Sequence, residues 1–261
     1  MTFPDGKNKV LTLSYDDGKI ADRKLVNLFN HYGLKATFHM NGGLLDQPER
    51  IPSSEVSTLY QGHEIACHTF THPTMARCPE MNIVEEIIED RKTLEVLAGY
   101  PVRGLSYPNG SFDQRVKSIL PSLGIAYSRT VNSTGSFAMP QDLLEWNPTC
   151  HHKKNLLHLA TEFFNLHKTQ YLYMLYVWGH SYEFDSDDNW DVIENFSQMA
   201  EKQNDIWFAT NIQIVDYLFA FQQLQFSASG EFVYNPSVQC VWLNVNQHVI
   251  EVTGGSQVKL N

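Results

Sequence analysis

The sequence lacks any apolar run near the roughly 18 residues that a membrane-spanning helix needs. It also has little positive charge: 19 Lys and Arg residues stand against 29 Asp and Glu residues, for a formal net charge of −10. That balance argues against a nucleic-acid-binding or anionic-membrane surface. Cysteine is scarce, with four residues and no paired spacing. We therefore predict reduced thiols, with a disulfide between Cys67 and Cys78 as the alternative.

The start of the chain also lacks the pattern of a secretory leader. The segment Met1 to Gly6 has no basic region followed by an apolar run. We therefore predict a cytoplasmic protein without a signal peptide. Hydrophobic residues make up 43% of the 261 residues, which is enough for a sizeable core. The length allows one large domain, or one domain with a small appendage.

Strand-like and helix-like segments alternate through the first 225 residues. The predicted strands cover residues 9–15, 35–40, 64–67, 103–107, 125–128, 171–178 and 206–209. The predicted helices cover residues 20–32, 51–60, 80–98, a segment ending near 123, 155–167, 190–202 and 212–224. Residues 130–150 read as a loop. The alternation predicts an α/β fold with a mainly parallel sheet, either a barrel or a doubly wound sheet.

The last part of the chain has a different pattern. Short β-prone runs lie between turn residues, at 231–234, 238–243, 248–253 and 258–260. We predict a main domain over residues 1–225 and a small antiparallel β appendage over 226–261. Because about 35 residues are too few for a secure independent core, we favour a packing element over a carbohydrate-binding module.

Two short motifs carry the chemistry. The apolar run Val10–Leu13 predicts a buried strand, and Ser14-Tyr15-Asp16-Asp17-Gly18 follows it. Two adjacent carboxylates at a strand end are costly without a positive partner, and a divalent metal is the usual one. His68 and His72 lie four residues apart and supply matching ligands. One Asp and two His residues form a facial triad with open positions, which is typical of a catalytic metal site.

In this order and at this spacing, the two motifs resemble those of the polysaccharide deacetylases, carbohydrate esterase family four. The resemblance covers roughly residues 9–225. It implies a distorted, incomplete (β/α) barrel. It also implies a metal-dependent hydrolase that removes N-acetyl groups from amino sugars or their oligomers.

The resemblance assigns roles to individual residues. Asp17, His68 and His72 match the metal ligands, with zinc as the first choice and cobalt or another divalent ion as alternatives. Asp16 matches the general base. His180, directly after an apolar strand, matches the general acid. The structural alternatives are a turn for Asp-Asp-Gly and a surface or core histidine for His180.

The chain departs from the family pattern at its third motif. Ser106-Tyr107-Pro108-Asn109-Gly110 stands where the family has Arg-x-Pro-aromatic-Gly. Ser106 therefore replaces the arginine that holds the base, and either Arg103 or Arg129 is the predicted substitute. Tyr107, Pro108 and Asn109 are predicted to contact the substrate, and a backbone N–H at Asn109 still allows oxyanion stabilisation.

The later motifs also differ. Trp178 replaces the leucine that lines the acetyl pocket, and it too is a predicted substrate contact. The fourth motif, an Asp-aromatic pair, is not found. His151 and His152 beside Cys150 resemble a soft-metal site. Because adjacent histidines on one strand point apart, we interpret them instead as loop residues lining the cleft.

These departures leave several functions open. Within the same fold, the alternatives are an O-acetyl esterase and an amidase acting on small cyclic amides. A different class is a carbohydrate-binding protein that has lost turnover. The predicted partner is a carbohydrate or small amide substrate, with no nucleic acid and no membrane. The sequence does not predict the oligomeric state.

Overall fold

The computed structural model describes residues 1–260 and is built around one parallel sheet. Its strands are β1 (Lys9–Asp16), β2 (Ala36–Met40), β3 (Glu64–Cys67), β4 (Gly104–Ser106), β5 (Tyr127–Arg129), β6 (Cys150–His151), β7 (Tyr173–Gly179) and β8 (Ile206–Phe208). The order is β5-β4-β3-β2-β1-β7-β6, and β8 also pairs with β1. Within the described residues the end strands β5 and β6 do not pair with each other. The predicted incomplete (β/α) barrel is confirmed.

Eight helices accompany the sheet over residues 1–260. They are α1 (Asp22–His31), α2 (Ser53–Leu59), α3 (Glu80–Ala98), α4 (Gln114–Ile119), α5 (Leu156–Phe164), α6 (Tyr182–Ser186), α7 (Trp190–Glu201) and α8 (Asn211–Gln222). Local sequence explains several ends. Gly99 closes α3 with a φ of 77°, a conformation that suits glycine. Thr210 and Gln213 form a capping box that starts α8.

The central strand β1 organises the barrel. All eight of its residues are buried, and it pairs with β2, β7 and β8. Its register places Asp16 beside His39 of β2, and Ser14 beside Trp178 of β7. Because parallel strands end at the same edge, the polar residues at their carboxyl ends meet there.

The predicted loop over residues 130–150 is partly wrong. It contains a short 3-10 helix at Leu143–Glu145, and β6 begins at its last residue. The helix α6 was also not predicted. Both β6 and α6 are too short to show a clear periodicity, so packing against β7 and its following loop decides them.

The C-terminal β segment consists of two small sheets. Its strands are β9 (Gln225–Phe226), β10 (Phe232–Tyr234), β11 (Val241–Val245), β12 (His248–Val252) and β13 (Gln257–Lys259). β10 pairs with β9 and β13, and β11 forms a hairpin with β12, all antiparallel. Val241 packs in one cluster with Phe3 and Tyr217, so this segment shares a core with the barrel. Asn261, the last residue of the predicted appendage, lies outside the described residues.

Two further predictions concern the whole chain. Cys67, Cys78, Cys150 and Cys240 are free in this structure. None of the helices described between residues 1 and 260 combines the length and apolar character needed to cross a membrane.

Candidate active site

The candidate site lies at the carboxyl edge of the parallel sheet. Asp16 ends β1 and Asp17 follows it; His68 follows β3, Ser106 ends β4 and His180 follows β7. Each side chain is delivered by a buried strand whose apolar neighbours anchor it. The fold therefore brings together residues that are up to 164 positions apart in the chain.

Asp17, His68 and His72 form a cluster able to hold a metal ion. Their ligand atoms all lie within 4.8 Å of one another, and His72 Nε2 is 3.9 Å from Asp17 Oδ1. Asp17 and His72 have positive φ angles of 84° and 64°. Non-glycine residues adopt this conformation at a cost, and such outliers concentrate at functional sites. Here the unusual backbone turns both side chains toward one point.

The tautomer of His68 suits a metal ligand. Its Nδ1 lies 2.9 Å from the carbonyl oxygen of Ser106, which can only accept, so Nδ1 carries the proton. Nε2 is then left with its lone pair. Burial lowers the pKa of His68 to about 4 despite the nearby charges of Asp16 and Asp17, so the ring is neutral. Its backbone N–H donates to Asp90 at 3.0 Å, which fixes the residue in place. The donor set fits a divalent ion.

Asp16 is a buried carboxylate with two polar partners. The guanidinium of Arg129 donates to Oδ2. The hydroxyl of Ser106 donates to Oδ1 at 3.2 Å. Burial pushes the pKa of Asp16 upward, but Arg129, followed by His68, outweighs it and holds the pKa well below its ordinary value. Asp16 is therefore ionised at neutral pH.

Arg129 is the arginine that the structure places beside Asp16. It is fully buried, donates to the hydroxyl of Ser14 at 3.1 Å and stacks at 4.4 Å on the ring of Trp178. The indole ring of Trp178 thus covers one face of the guanidinium in a cation–π contact. Ser106 occupies the position at which the family pattern has an arginine. Its small side chain leaves room beside Asp16 for the side chain of Arg129, which ends β5.

Arg103, the other predicted partner, lies elsewhere. Its side chain is about one-third exposed and pairs with Asp216 of α8 at 2.6 Å. Arg103 lies just before β4, and its pairing with Asp216 directs its side chain to α8 instead of Asp16.

Two of the three predicted substrate contacts in the third motif have buried side chains. Tyr107 is buried, donates to the carbonyl oxygen of Leu144 at 2.7 Å and stacks on Phe112, so its side chain faces the core. Pro108 is buried as well. Asn109 is exposed, with a φ of 56°. Over residues 1–260 its N–H donates to no backbone carbonyl, which leaves that donor available to a ligand.

Glu183 is a site residue that sequence reasoning missed. The helix α6 places it one turn beyond His180, and its Oε2 accepts from the N–H and Nδ1 of His180 at 3.1 and 3.2 Å. Burial lowers the pKa of His180, but this hydrogen bond and the charges of Asp16 and Asp17 outweigh it and raise the pKa. The i, i+3 spacing of His180 and Glu183 was the available signal.

The prediction that His151 and His152 point apart is wrong. His151 Nε2 and His152 Nε2 lie 3.2 and 3.3 Å from Oε2 of Glu183. The strand β6 ends at His151, so the alternation of side chains does not extend to His152. Both histidines therefore face Glu183, beside His180.

A cleft of about 710 Å³ opens beside the metal-binding cluster, with Asp17, His72 and Tyr182 among its lining residues. Arg50 also lines it and was missed by the sequence analysis. Its guanidinium donates to the carbonyl oxygen of Asp17 and lies 3.5 Å from Oδ1. Arg50 thereby holds the unusual backbone of Asp17.

Comparison with known proteins agrees with this geometry. The sequence profile of the family described as polysaccharide deacetylase matches residues 4–128, which include β1, Asp16, Asp17, His68 and His72. Over these residues the chain is similar to the polysaccharide deacetylase family. The matched region ends at β5, so Arg129, Glu183 and His180 lie beyond it.

The individual relatives of this chain are distant. It is 28% identical to chitin deacetylase 1 of Cryptococcus neoformans over 52% of its own length and 28% of that protein. It is 29% identical to a peptidoglycan-N-acetylglucosamine deacetylase of Bacillus cereus over 38% of its length and 36% of that protein. The alignments thus span about a third or less of these relatives. A Mycobacterium smegmatis structure assigned to the polysaccharide deacetylases superposes with a TM-score of 0.64 at 14% identity, covering 85% of this chain and 94% of that one.

Proposed function

We propose that this chain is a metal-dependent hydrolase that removes N-acetyl groups from amino sugars or their oligomers. The observation that carries the proposal is the convergence of a partnered base, a metal-binding cluster and a histidine acid at one sheet edge: Asp16, Asp17, His68, His72 and His180. The named activities of the relatives in Cryptococcus neoformans and Bacillus cereus support an N-acetyl amino sugar as substrate.

The proposed cofactor is a divalent ion held by Asp17, His68 and His72, with zinc as the first choice. When bound, such an ion lowers the pKa of a coordinated water toward about 7 and polarises a substrate carbonyl. The open side of this cluster faces the cleft, because Asp17 and His72 both line it. That side leaves room for the water and the amide.

The protein's own groups supply the remaining chemistry. Asp16 accepts the proton of the attacking water, and Arg129 with Ser106 holds its carboxylate in place. The N–H of Asn109 donates to the carbonyl oxygen as negative charge develops there. His180 donates a proton to the leaving nitrogen, while Glu183 keeps its ring oriented and charged.

Acetate release tests this proposal. Purified protein would be stripped of metal, refilled with zinc or cobalt, and incubated with chitin oligomers, acetylated xylan and small cyclic amides. We expect metal-dependent acetate from the chitin oligomers. Acetate from xylan alone would instead indicate an O-acetyl esterase. Ring opening without acetate would indicate an amidase, and metal binding without turnover on all three would favour a binding protein.

The ligand assignment predicts the behaviour of a His72→Ala variant. Loss of one of three protein ligands should lower zinc occupancy of this site from about one ion per chain to near zero at micromolar zinc. Metal analysis after dialysis measures it. The control is His158→Ala, because His158 is an exposed histidine on α5 that pairs only with Glu162. A zinc content in His72→Ala equal to that of the native protein would contradict the assignment.

The pairing of His180 with Glu183 predicts the pH dependence of turnover. A general acid must be protonated, so kcat/KM falls as pH rises through the pKa of His180. Glu183→Gln removes the carboxylate that raises the pKa of His180, so this alkaline limb should move to lower pH. The control is Glu162→Gln, because Glu162 is an exposed glutamate that pairs with His158 on α5. An unmoved limb in Glu183→Gln would show that His180 does not set it.

A further inference from the structure

A second group of metal-ligating side chains lies on the other side of His180. His151 Nε2, His152 Nε2 and an oxygen of Glu183 all lie within 4.8 Å of one another. The two nitrogens are 3.2 and 3.3 Å from Oε2. Ligand bonds of about 2.0–2.1 Å around a tetrahedral zinc ion separate neighbouring ligand atoms by about 3.3–3.4 Å. The distances from Oε2 of Glu183 to the two histidine nitrogens are close to that separation.

His152 is difficult to explain as a purely structural residue. Its side chain is 1% exposed, yet in the part of the chain that the structure describes neither ring nitrogen makes a hydrogen bond, although Nε2 lies 3.3 Å from Oε2 of Glu183. A buried polar group without a partner is costly, and each such group needs a reason. Burial lowers the pKa of His152 to about 3, so its ring is neutral, which is the form that binds a metal.

The surroundings hold His152 rigidly in this orientation. Its ring packs against Tyr15 and Phe184, at centroid distances of 5.7 and 4.1 Å. Gly179 makes room for it, because a Cβ at that position would come within 2.1 Å of His152 Nδ1. The fold therefore places an unpartnered imidazole, held by two aromatic rings, against a carboxylate and a second imidazole.

We propose that His151, His152 and Glu183 form a second divalent-ion site of zinc-like preference, whose ion competes with His180 for Glu183. The site opens to solvent past His151 and Glu183, whose side chains are 13% and 16% exposed. An ion bound to Oε2 of Glu183 would use the lone pairs that accept the hydrogen bond from Nδ1 of His180. Filling the site therefore weakens the proposed general acid, and this consequence alone rests on the proposed function.

Two contacts oppose the second ion and make it the weaker of the two. Lys153 Nζ lies 3.2 Å from Oε1 of Glu183, but it also pairs with Asp187 at 2.7 Å and can remain there. The N–H of Lys153 donates to His151 Nδ1 at 3.2 Å. For Nε2 of His151 to bind an ion, the ring proton must move to Nδ1. This exposed turn must therefore shift, so that Nδ1 no longer accepts from Lys153. We therefore expect the Asp17 site to fill first.

Metal stoichiometry tests the site without any substrate. Metal-free protein would be dialysed against increasing zinc and its metal content measured by mass spectrometry. We expect two ions per chain for the native protein and for His158→Ala, and one ion for His151→Ala or His72→Ala. Circular dichroism and the melting temperature confirm that each variant is folded. A single ion in the native protein, or two ions in His151→Ala, would overturn the proposal.

A cobalt titration and a turnover measurement separate this proposal from the function. Each cobalt ion in a site of nitrogen and oxygen ligands gives visible absorption bands, so His151→Ala should lose the bands of the second equivalent. In native protein that releases acetate, turnover should fall at least twofold as the second zinc ion binds. A second ion without inhibition would refute the competition for Glu183. Absence of any acetate release would refute the function and leave the stoichiometry result standing.

Discussion

Replacing Asp16 with asparagine should lower kcat/KM by about 10²- to 10⁴-fold, the range typical of a lost general base. An amide of the same shape cannot accept the proton of an attacking water. Zinc content should remain near the native value, because Asp16 is not among the residues whose ligand atoms cluster: Asp17, His68 and His72. The measurement pairs acetate-release kinetics with metal analysis on one preparation.

The matched control for this variant is Asp5→Asn. Asp5 is an exposed aspartate near the N-terminus, and its only ion pair in the described part of the chain is with Lys7 at 3.9 Å. Its loss should leave both turnover and zinc unchanged. Native turnover in Asp16→Asn would remove the base role from Asp16. Loss of zinc in that variant would instead make Asp16 part of the metal site.

The second large effect is expected for Arg129→Met. This change leaves the buried carboxylate of Asp16 without its cation, and breaking a buried ion pair costs about 3–5 kcal/mol of unfolding free energy. Burial then raises the pKa of Asp16 with less opposition, so turnover falls together with stability. Denaturant unfolding and kcat/KM measure the two effects.

Arg103→Met provides a comparison within the same protein. Arg103 pairs with Asp216 at 2.6 Å, but both side chains are more than one-third exposed. Such a pair contributes about 0–1 kcal/mol, because water screens the charges. Equal losses in the two variants would contradict the buried pairing of Arg129. In the double variant Asp16→Asn/Arg129→Met, the loss of stability should be smaller than the sum of the single losses.

The sequence predicted the parts of the site that depend on local pattern. The apolar run before Asp16 and Asp17 places them at a strand end, and His68 follows another short buried strand. These strands form within two residues of their predicted bounds, because apolar residues such as Val10, Leu11 and Ile65 favour burial in a parallel sheet. The barrel also followed from the sequence, through strand–helix alternation and the family resemblance together.

The partners of these residues depended on packing between distant segments. Arg129 lies 113 positions from Asp16, and its pairing required β5 to sit at the right place in the sheet. From the sequence, Arg103 was an equal candidate. The position of β5 in the sheet and the space left by Ser106 decided between them, and neither property appears in a linear pattern.

The sequence by itself therefore determined most of the strands and, through ligand chemistry, the triplet Asp17, His68 and His72, while the family resemblance indicated Asp16 and His180 as the proposed base and acid. Only the tertiary structure decided that Arg129 holds Asp16, that Glu183 holds His180, and that His151 and His152 converge on the same carboxylate. The physical reason is that a buried charge is stabilised by whichever partner the folded chain brings within a few ångströms, and that distance is set by packing of the whole barrel.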